Sequence, residues 1–369
     1  GHYSSLLTVK RLAKAGHHPI ILVGGATGLI WDPRPTAERE IIPFETVQKN
    51  FESLKKQIIE IFDGNVEVVN NYDWTKDITI LEFLRDIWKY ININYMLNKD
   101  IINRRLETGI TFAEFTYTLL QWYDFLHLYE TKNCIMQVAW SDQWWNITTW
   151  IELINKKLDK TAYAFTMPLI LDSAGNKFWK SEWNALWLDK DKTSSYAIYQ
   201  YLVNSDDSKV EEYLKVFTFL SPDEIMETMK KHNEAPEERI AQKTLAKEFI
   251  TDLHGQAEYE KVQKISEILF GNGDKLEMIA KMSEDEKLAL ARETWSVKMQ
   301  WNEIRLLDLI VQSGLASSNW EVKKMIQAGS IYFNEEKVED IQKTVKSEDL
   351  INWIGLLRKW KKSYKLILG

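Results

Sequence analysis

Three polar side chains near the middle of the chain share one face of a predicted helix. Tyr117, Gln121 and Asp124 are spaced i, i+4 and i+7, and an α-helix aligns that spacing along a single stripe. The stripe offers a phenol, a carboxamide and a carboxylate, which together can hold a small polar ligand. A solvated helix face has the same pattern, so the choice between the two depends on what lies nearby.

A second polar group stands where a predicted strand ends. Gln137 falls within that strand, and Asp142 follows its carboxyl end. Ligands of open parallel sheets bind just outside the carboxyl ends of the strands, where an acidic residue suits ribose hydroxyls. The alternative is that Asp142 caps the helix that follows. Asp32 comes after another predicted strand and its glycine turn, where a carboxylate could hold an ammonium group.

Two further features could bind phosphate. Lys177 and Lys180 stand three residues apart on a predicted loop, and such a pair can neutralise the charge that develops on a leaving pyrophosphate. His2 precedes an amphipathic helical pattern, whose first amides and dipole favour an anion. Loop lysines and a terminal histidine are common without any chemical role, so neither feature decides the function alone.

Composition limits the classes of protein to consider. The 369 residues are 45% hydrophobic and 27% charged, which is typical of a folded globular chain. No apolar run approaches the roughly 18 residues that span a bilayer, so we expect no membrane contact. A single cysteine, Cys134, excludes an internal disulfide and a multi-thiolate zinc site, and we expect no metal held by protein ligands alone. The net charge of -7 predicts local rather than general contact with nucleic acid.

Apolar spacing predicts an α/β fold for the first half of the chain. Helices that alternate with buried strands at these lengths indicate a Rossmann-like parallel sheet covered on both faces. Thr111 and Glu114 match a capping box at the start of a long central helix. The predicted elements are a helix at 4–15, a strand at 19–23, a helix at 46–62, a strand at 66–70, mainly helix at 78–130, a strand at 135–139, a helix at 147–157, and strands and loops at 162–190.

The second half of the chain changes character twice. From about residue 194 to 293 it shows helical patterns rich in Glu and Lys and no strand pattern. Residues 303–369 carry 11 Lys+Arg and 9 Asp+Glu, a charge of +2, with helical patterns at 304–313 and 319–328 and a strand pair around Asn334. The predicted domains are an α/β domain with a helical insertion at 1–195, an all-α domain at 196–300, and a small α+β domain at 303–369.

Several motifs resemble those of class I aminoacyl-tRNA synthetases. Gly1-His2 resembles the second half of the HIGH signature, and the segment from Lys177 to Ser181 resembles the KMSKS signature, in the order of that class. Within the class, the chain is similar to the bacterial tyrosyl-tRNA synthetases. The motifs that carry this similarity are GGATGLI at 24–30, NNYDW at 70–74, LEFLRD at 81–86, ETGITFAEFTYTLLQ at 107–121, SDQW at 141–144 and LWLD at 186–189.

The resemblance implies an ATP-dependent tyrosine–tRNA ligase that activates tyrosine as tyrosyl-adenylate and transfers it to tRNA(Tyr). It further implies a cytoplasmic homodimer with its contact around Phe112, Mg²⁺ that accompanies ATP, and an S4-like RNA-binding domain at 303–369. The implied site residues fall into three sets. These are His2, Lys177, Lys180 and Ser181 for catalysis; Asp32, Tyr117, Gln121, Asp124 and Gln137 for tyrosine; and Gly1, His2, Asp142, Gln143 and Lys180 for ATP.

The sequence departs from the family in two respects. The resemblance begins inside the first signature, so we expect the family's first strand, with substrate contacts of its own, to precede residue 1. The chain also has 16 tryptophans and only 15 glycines, although ordinary usage of about 7% predicts roughly 26 glycines. Many tryptophans, including Trp140, Trp150, Trp179 and Trp360, stand where the family typically has glycine or another small residue.

We interpret these tryptophans as UGA codons that the organism reads as glycine. If they are instead real, Trp140 is expected to obstruct ATP, and the chain is an RNA-binding relative with impaired catalysis. A third possibility is the sister family of tryptophan–tRNA ligases, which shares the class signatures. Tyr117, Gln121 and Asp124 favour tyrosine as the substrate.

Overall fold

The chain divides into two compact units. The computed structural model describes residues 1–30, 42–97, 109, 111–171, 186–271, 273–294, 296–299, 302–360 and 363–369. One unit comprises Gly1–Ala185 with Glu212–Ser221, and the other comprises Leu186–Glu211 with Pro222–Gly369. The predicted division into three domains stays a prediction.

The first unit begins with a strand–helix–strand arrangement. Helix α1 (His2–Lys14) leads to strand β1 (Ile20–Val23), which pairs in parallel with β2 (Glu67–Asn70). The connection includes the short helix α2 (Thr27–Ile30) and helix α3 (Phe44–Ile61). A parallel pair requires such a crossover, because a tight turn cannot return the chain to the same end of the sheet. These elements confirm the helices and strands predicted for this region.

Short helices connect β2 to a long helix. They are α4 (Tyr72–Thr75), α5 (Ile80–Asp86) and α6 (Ile93–Leu97), followed by the long helix α7 (Phe112–Lys132). Thr79 and Glu82 form a capping box at α5, which ties down two of the free amides at its start. The predicted box at Thr111 involves the side chain of Glu114, which lies outside the described residues.

A second parallel pair completes the described sheet structure of this unit. Strand β3 (Met136–Trp140) pairs with β4 (Tyr163–Met167), and helix α8 (Trp144–Leu158) connects them. Among the described residues, β1 pairs with β2 and β3 pairs with β4, and both pairs are parallel, as the sequence predicts for this region.

Helices α7 and α8 pack through apolar side chains at helical spacing. Leu119, Trp122 and Leu126 of α7 meet Ile147 and Ile154 of α8 in one buried cluster. Each of these side chains is at most 2% exposed. Their burial fixes the rotation of α7, and so determines which of its faces carries the polar stripe.

The chain after residue 190 is helical as predicted, as far as residue 293. Serine and aspartate side chains cap three of these helices at Ser194, Asp274 and Ser283. The helices are α9 (Ser195–Val203), α10 (Asp207–Phe217), α11 (Pro222–Glu234), α12 (Ile240–His254), α13 (Gln256–Phe270), α14 (Lys275–Lys281) and α15 (Glu284–Glu293).

The C-terminal part combines two helices with β-structure. A five-stranded sheet has the order β5-β11-β10-β7-β8, and β6 pairs with β9. The strands are β5 (Val297–Lys298), β6 (Glu303–Arg305), β7 (Ile331–Phe333), β8 (Glu336–Lys337), β9 (Thr344–Lys346), β10 (Ile354–Lys359) and β11 (Ser363–Leu368), and the helices are α16 (Leu306–Gln312) and α17 (Asn319–Gln327).

One sequence prediction for this part needs correction. The helix expected from Ile304 begins at Leu306, because Ile304 belongs to β6. No element is predicted after the hairpin around Asn334, and there the chain forms β10 and β11, whose leucines and isoleucines join the core. The predicted turn at Asn334 and Glu335 is confirmed, and both residues have the positive φ that a tight hairpin requires.

Candidate active site

The carboxylate of Asp124 lies at the centre of a buried hydrogen-bond network. Its side chain is 1% exposed. Asn71 Nδ2 donates to one carboxylate oxygen and Trp74 Nε1 donates to the other, each at 2.9 Å. Burial raises the pKa of Asp124 to about 7, and the two hydrogen bonds oppose that rise because they favour the ionised form.

The end of strand β2 places Asn71 in this network. Asn71 follows the strand directly, and its Oδ1 accepts a 2.7 Å hydrogen bond from the backbone N–H of Ala26. Gly25 lets the neighbouring Asn70 side chain come close to the glycine turn, because a Cβ at position 25 would lie 2.2 Å from Asn70 Oδ1. The carboxyl ends of β1 and β2 are thereby joined to Asp124 on α7.

A cluster of three carboxamides joins α7 to the end of β3. Gln121 Nε2 donates to Gln143 Oε1 at 3.3 Å. Asn146 Nδ2 donates to the Oε1 atoms of both glutamines, at 3.3 Å to Gln121 and 3.0 Å to Gln143. A single 3₁₀ turn at Ser141–Gln143 connects β3 to α8, and Asn146 lies in the first turn of that helix.

The polar stripe on α7 therefore faces other parts of the first unit. Asp124 contacts the residue that follows β2, and Gln121 contacts the turn that follows β3. Tyr117 lies one turn before Gln121 and is half-buried. The three side chains do not form the solvated helix face that the sequence left open.

Two other predicted residues lie on or just after β3. Gln137 is a buried residue of that strand, and its Oε1 has no hydrogen-bond partner in the described part of the chain. Asp142 is exposed in the turn that follows the strand. The first provides a buried acceptor, and the second provides a carboxylate at the carboxyl end of the parallel pair.

The structure describes part of the predicted phosphate-binding set. Gly1 precedes α1. His2 is the first residue of that helix, and its side chain is exposed. Lys177, Lys180 and Ser181 of this set lie outside the described residues, as does Asp32 of the predicted tyrosine set. Among the residues that are described, no group of three or more His, Cys, Asp or Glu side chains could hold a metal ion.

Sequence reasoning missed three residues of this site. Asn71 and Trp74 appeared only within a family motif, although an asparagine directly after a buried strand is itself a signal of a strand-end site. Asn146 stands three residues after Gln143 in the sequence, which is contact spacing on a helix. That spacing was the available signal for its part in the carboxamide cluster.

Comparison with known proteins agrees with this geometry. The family model for class I tRNA synthetases (W and Y) matches residues 1–271. A tyrosine–tRNA ligase of Streptococcus pyogenes serotype M3 is 42% identical over 375 aligned positions, which cover 100% of this chain and 88% of that protein. The chain belongs to the tyrosyl-tRNA synthetase family.

The C-terminal part and the solved structures agree with this family. The model for the tyrosine–tRNA ligase SYY-like C-terminal domain matches residues 287–367. A mitochondrial tyrosyl-tRNA synthetase of Aspergillus nidulans is 33% identical, with a TM-score of 0.58 over 66% of this chain and 74% of that one. The mitochondrial enzyme of Coccidioides posadasii is 28% identical, with a TM-score of 0.61 over 70% and 77%.

Membership of this family confirms the predicted α/β class and the predicted enzyme class. The chain is an aminoacyl-tRNA synthetase of class I and therefore an ATP-dependent ligase. None of the helices in the described part is both long and apolar enough to cross a membrane.

Proposed function

We propose that this synthetase attaches tyrosine to tRNA(Tyr) in two steps. The tyrosine carboxylate attacks the α-phosphate of ATP, forming tyrosyl-adenylate and releasing pyrophosphate. A terminal ribose hydroxyl of the tRNA then takes the tyrosyl group and releases AMP. The observation that best supports tyrosine as the substrate is the buried Asp124 carboxylate at the junction of α7 and β2.

Asp124 is suited to recognise a phenol hydroxyl. Each carboxylate oxygen accepts one hydrogen bond from a fixed donor, Asn71 or Trp74, and keeps a further lone pair. A ligand that brings an O–H donor can use that lone pair. Phenylalanine brings none, and leaving a buried acceptor unsatisfied costs about 1–3 kcal/mol, or more for a charged group.

The polar groups on α7 and β3 suit the other end of an amino acid. In this proposal Tyr117, Gln121 and Asp32 hold the ammonium group. The buried Oε1 of Gln137 is an acceptor that needs a donor, which an amino acid can provide. The side chains of Gln121 and Tyr117 precede Asp124 by one and two turns of α7, so a tyrosine could extend along this face.

The nucleotide is assigned to the residues beside β3 and at the two signatures. Asp142 binds ribose and Gln143 approaches the α-phosphate, while Gly1 and His2 contact the nucleotide. Lys177, Lys180 and Ser181 stabilise the triphosphate as charge moves to pyrophosphate. Mg²⁺ arrives with ATP and is held mainly by its phosphates. Catalysis depends on positioning and charge neutralisation more than on proton transfer.

The exposed apolar residues of the helical insertion support a homodimer. Ile80 and Leu81 on α5 are 79% and 78% exposed, and Phe112 at the start of α7 is 67% exposed. Large apolar side chains in such numbers are typical of an interaction surface. We assign this surface to a second copy of the chain.

We place the enzyme in the cytoplasm, because a chain with a lone cysteine is compatible with the reducing conditions there.

A second candidate function follows from Trp140. This residue ends β3 and directly precedes the turn that carries Asp142. A real indole there is expected to obstruct ATP, which would leave an RNA-binding protein that forms no adenylate.

Tyrosine-dependent exchange of pyrophosphate into ATP separates the two functions. From protein made with the native genetic code, in which the tryptophan positions interpreted as UGA are read as glycine, we expect exchange with tyrosine and much less with phenylalanine or tryptophan. Exchange that prefers tryptophan would reassign the substrate. A folded protein that binds tRNA(Tyr) but gives no exchange with any amino acid would favour the RNA-binding relative.

A further inference from the structure

The three carboxamides between α7 and α8 fix one another's orientation. The Nδ2 group of Asn146 carries two hydrogens, and it donates one to Gln121 Oε1 and one to Gln143 Oε1. Both glutamine carbonyls therefore face Asn146. Rotating either glutamine amide by half a turn would bring its N–H₂ group against the N–H₂ group of Asn146, with no acceptor between them.

Gln143 is the residue most strongly constrained by this arrangement. Its Oε1 accepts from Asn146 at 3.0 Å and from Gln121 at 3.3 Å, which occupies both lone pairs. Its Nε2 group donates no hydrogen bond within the described part of the chain. The free end of Gln143 is thus a donor, at the carboxyl end of β3.

We propose that Asn146 is a positioning residue that holds Gln143 with its N–H₂ group toward the α-phosphate of ATP. This proposal rests on the proposed function, in which Gln143 approaches that phosphate. The α-phosphate gains negative charge as the tyrosine carboxylate attacks, and a fixed N–H donor stabilises that charge without reorienting. A Gln143 carbonyl in the same place would repel it.

Asn146→Asp reverses this orientation with little change in shape. A carboxylate only accepts hydrogen bonds, so Gln143 must turn its N–H₂ group toward residue 146 and its carbonyl toward the phosphate. The helix itself should tolerate the change, because an acidic residue in the first turn of α8 is favoured by the helix dipole. Loss of activity is therefore not expected to come from unfolding.

The expected result is a selective loss in adenylate formation. We expect Asn146→Asp to lower the turnover of tyrosine-dependent pyrophosphate exchange about 100-fold, the effect of removing one donor to a developing charge. The dissociation constant for tyrosine, measured by equilibrium dialysis, should change much less than turnover. Asp124 is untouched, and of the side chains assigned to tyrosine Gln121 is the one that Asn146 contacts. Asn146→Ala, which removes both donors without adding charge, should lower turnover to a smaller extent.

Asn155→Asp is the matched control. It makes the same change on the same helix, at an exposed residue two turns further on. We expect wild-type exchange and tyrosine binding from this variant. An equal loss in both aspartate variants would mean that negative charge on α8 is sufficient, and would overturn the proposal.

A double-mutant cycle with Gln143→Ala tests whether Asn146 acts through Gln143. If Asn146 acts through Gln143, adding Asn146→Ala to Gln143→Ala should lower turnover little further, because there is no longer a Gln143 amide to orient. If the loss of turnover in the double variant equals the product of the losses in the two single variants, the proposal is overturned. Full activity of Asn146→Asp would overturn it as well. A folded wild-type protein that neither binds tyrosine nor exchanges pyrophosphate would instead overturn the proposed function, and with it the role of Asn146.

Discussion

The indole N–H of Trp74 donates a 2.9 Å hydrogen bond to the carboxylate of Asp124. The two residues are 50 positions apart in the sequence and lie on different helices, α4 and α7. Together with Asn71, Trp74 keeps a buried carboxylate in one orientation while leaving it able to accept another hydrogen bond. The role of Asp124 in selecting tyrosine over phenylalanine can therefore be tested by substitution.

Asp124→Asn should reduce the preference for tyrosine over phenylalanine. The asparagine keeps the shape but replaces one acceptor oxygen by an N–H₂ donor, which conflicts with the donors of Asn71 and Trp74. We expect the ratio of kcat/KM for tyrosine to that for phenylalanine to fall by about 10- to 100-fold, corresponding to about 1–3 kcal/mol for one buried hydrogen bond. Pyrophosphate exchange with each amino acid measures this ratio. An unchanged ratio would contradict the role of Asp124.

Tyrosine binding should strengthen as the pH rises through about 7. Burial raises the pKa of Asp124 to about 7, and only the ionised form has both oxygens available as acceptors. We expect the dissociation constant for tyrosine to fall between pH 6 and pH 8, as measured by equilibrium dialysis. The dissociation constant of the Asp124→Asn variant should not change with pH in this range. The same pH profile in both proteins would contradict the role of Asp124.

The same raised pKa makes a separate prediction for stability. A carboxyl group whose pKa is higher in the folded state binds more protons when folded, so its contribution to stability is present below its unfolded value near 4 and is lost as the pH rises to about 7. Wild type without tyrosine should therefore lose stability relative to Asp124→Asn as the pH rises from about 4 to 7. Urea unfolding at each pH gives this difference, and a difference that does not change with pH would be inconsistent with the buried carboxyl.

Periodicity in the sequence was sufficient to find the main elements of the first unit and the stripe on α7. Tyr117, Gln121 and Asp124 are linked by helical spacing, which is a local property of the chain. The contacts of Asn71 and Trp74 with Asp124 are not local, because they depend on how α4 is placed against α7. Residues far apart in sequence meet only through tertiary packing, which a single sequence does not reveal.

The C-terminal strands show a different limit. The tail of the chain carries Arg358, Lys359 and Lys365, and its charge obscured the strands that these residues belong to. Leu356 and Leu357 are adjacent and both fully buried. β10 therefore lacks the alternation of buried and exposed residues that marks a strand with one solvent-exposed face. A strand covered on both sides has no simple period to detect.

The exposed surface on α5 should mediate dimer formation. Leu81→Glu places a charge at a residue that is 78% exposed in the single chain and is buried if the dimer forms there. We expect this variant to sediment as a monomer where the wild type sediments as a dimer, because an unpaired buried charge is strongly unfavourable. Met226→Glu is the control, since Met226 is an exposed apolar residue on α11. A wild-type monomer, or a dimer in both variants, would contradict this surface.

Trp353 and Trp360 should be glycine in the protein made by the source organism. Both have positive φ, 63° and 54°, a backbone conformation that is strained for a bulky side chain and natural for glycine. The buried Nε1 atoms of Trp88 and Trp150 also have no hydrogen-bond partner among the described residues, whereas Nε1 of Trp74 donates to Asp124. Trp353 Nε1 donates to Glu284 at 2.7 Å, so at that position the prediction rests on the positive φ. The contrast of Trp88 and Trp150 with Trp74 is expected if UGA encodes glycine at the first two positions and UGG encodes tryptophan at Trp74.

Peptide mass spectrometry of the natively expressed protein tests this recoding, with Trp74 as the internal control. We expect glycine masses at 140, 150, 353 and 360 and a tryptophan mass at 74. Replacing Trp140 by glycine in a protein expressed with the standard code should then raise pyrophosphate exchange, because the indole no longer stands beside the turn that carries Asp142. Tryptophan masses at all five positions would refute the recoding, and inactivity of the native protein would then favour the RNA-binding relative.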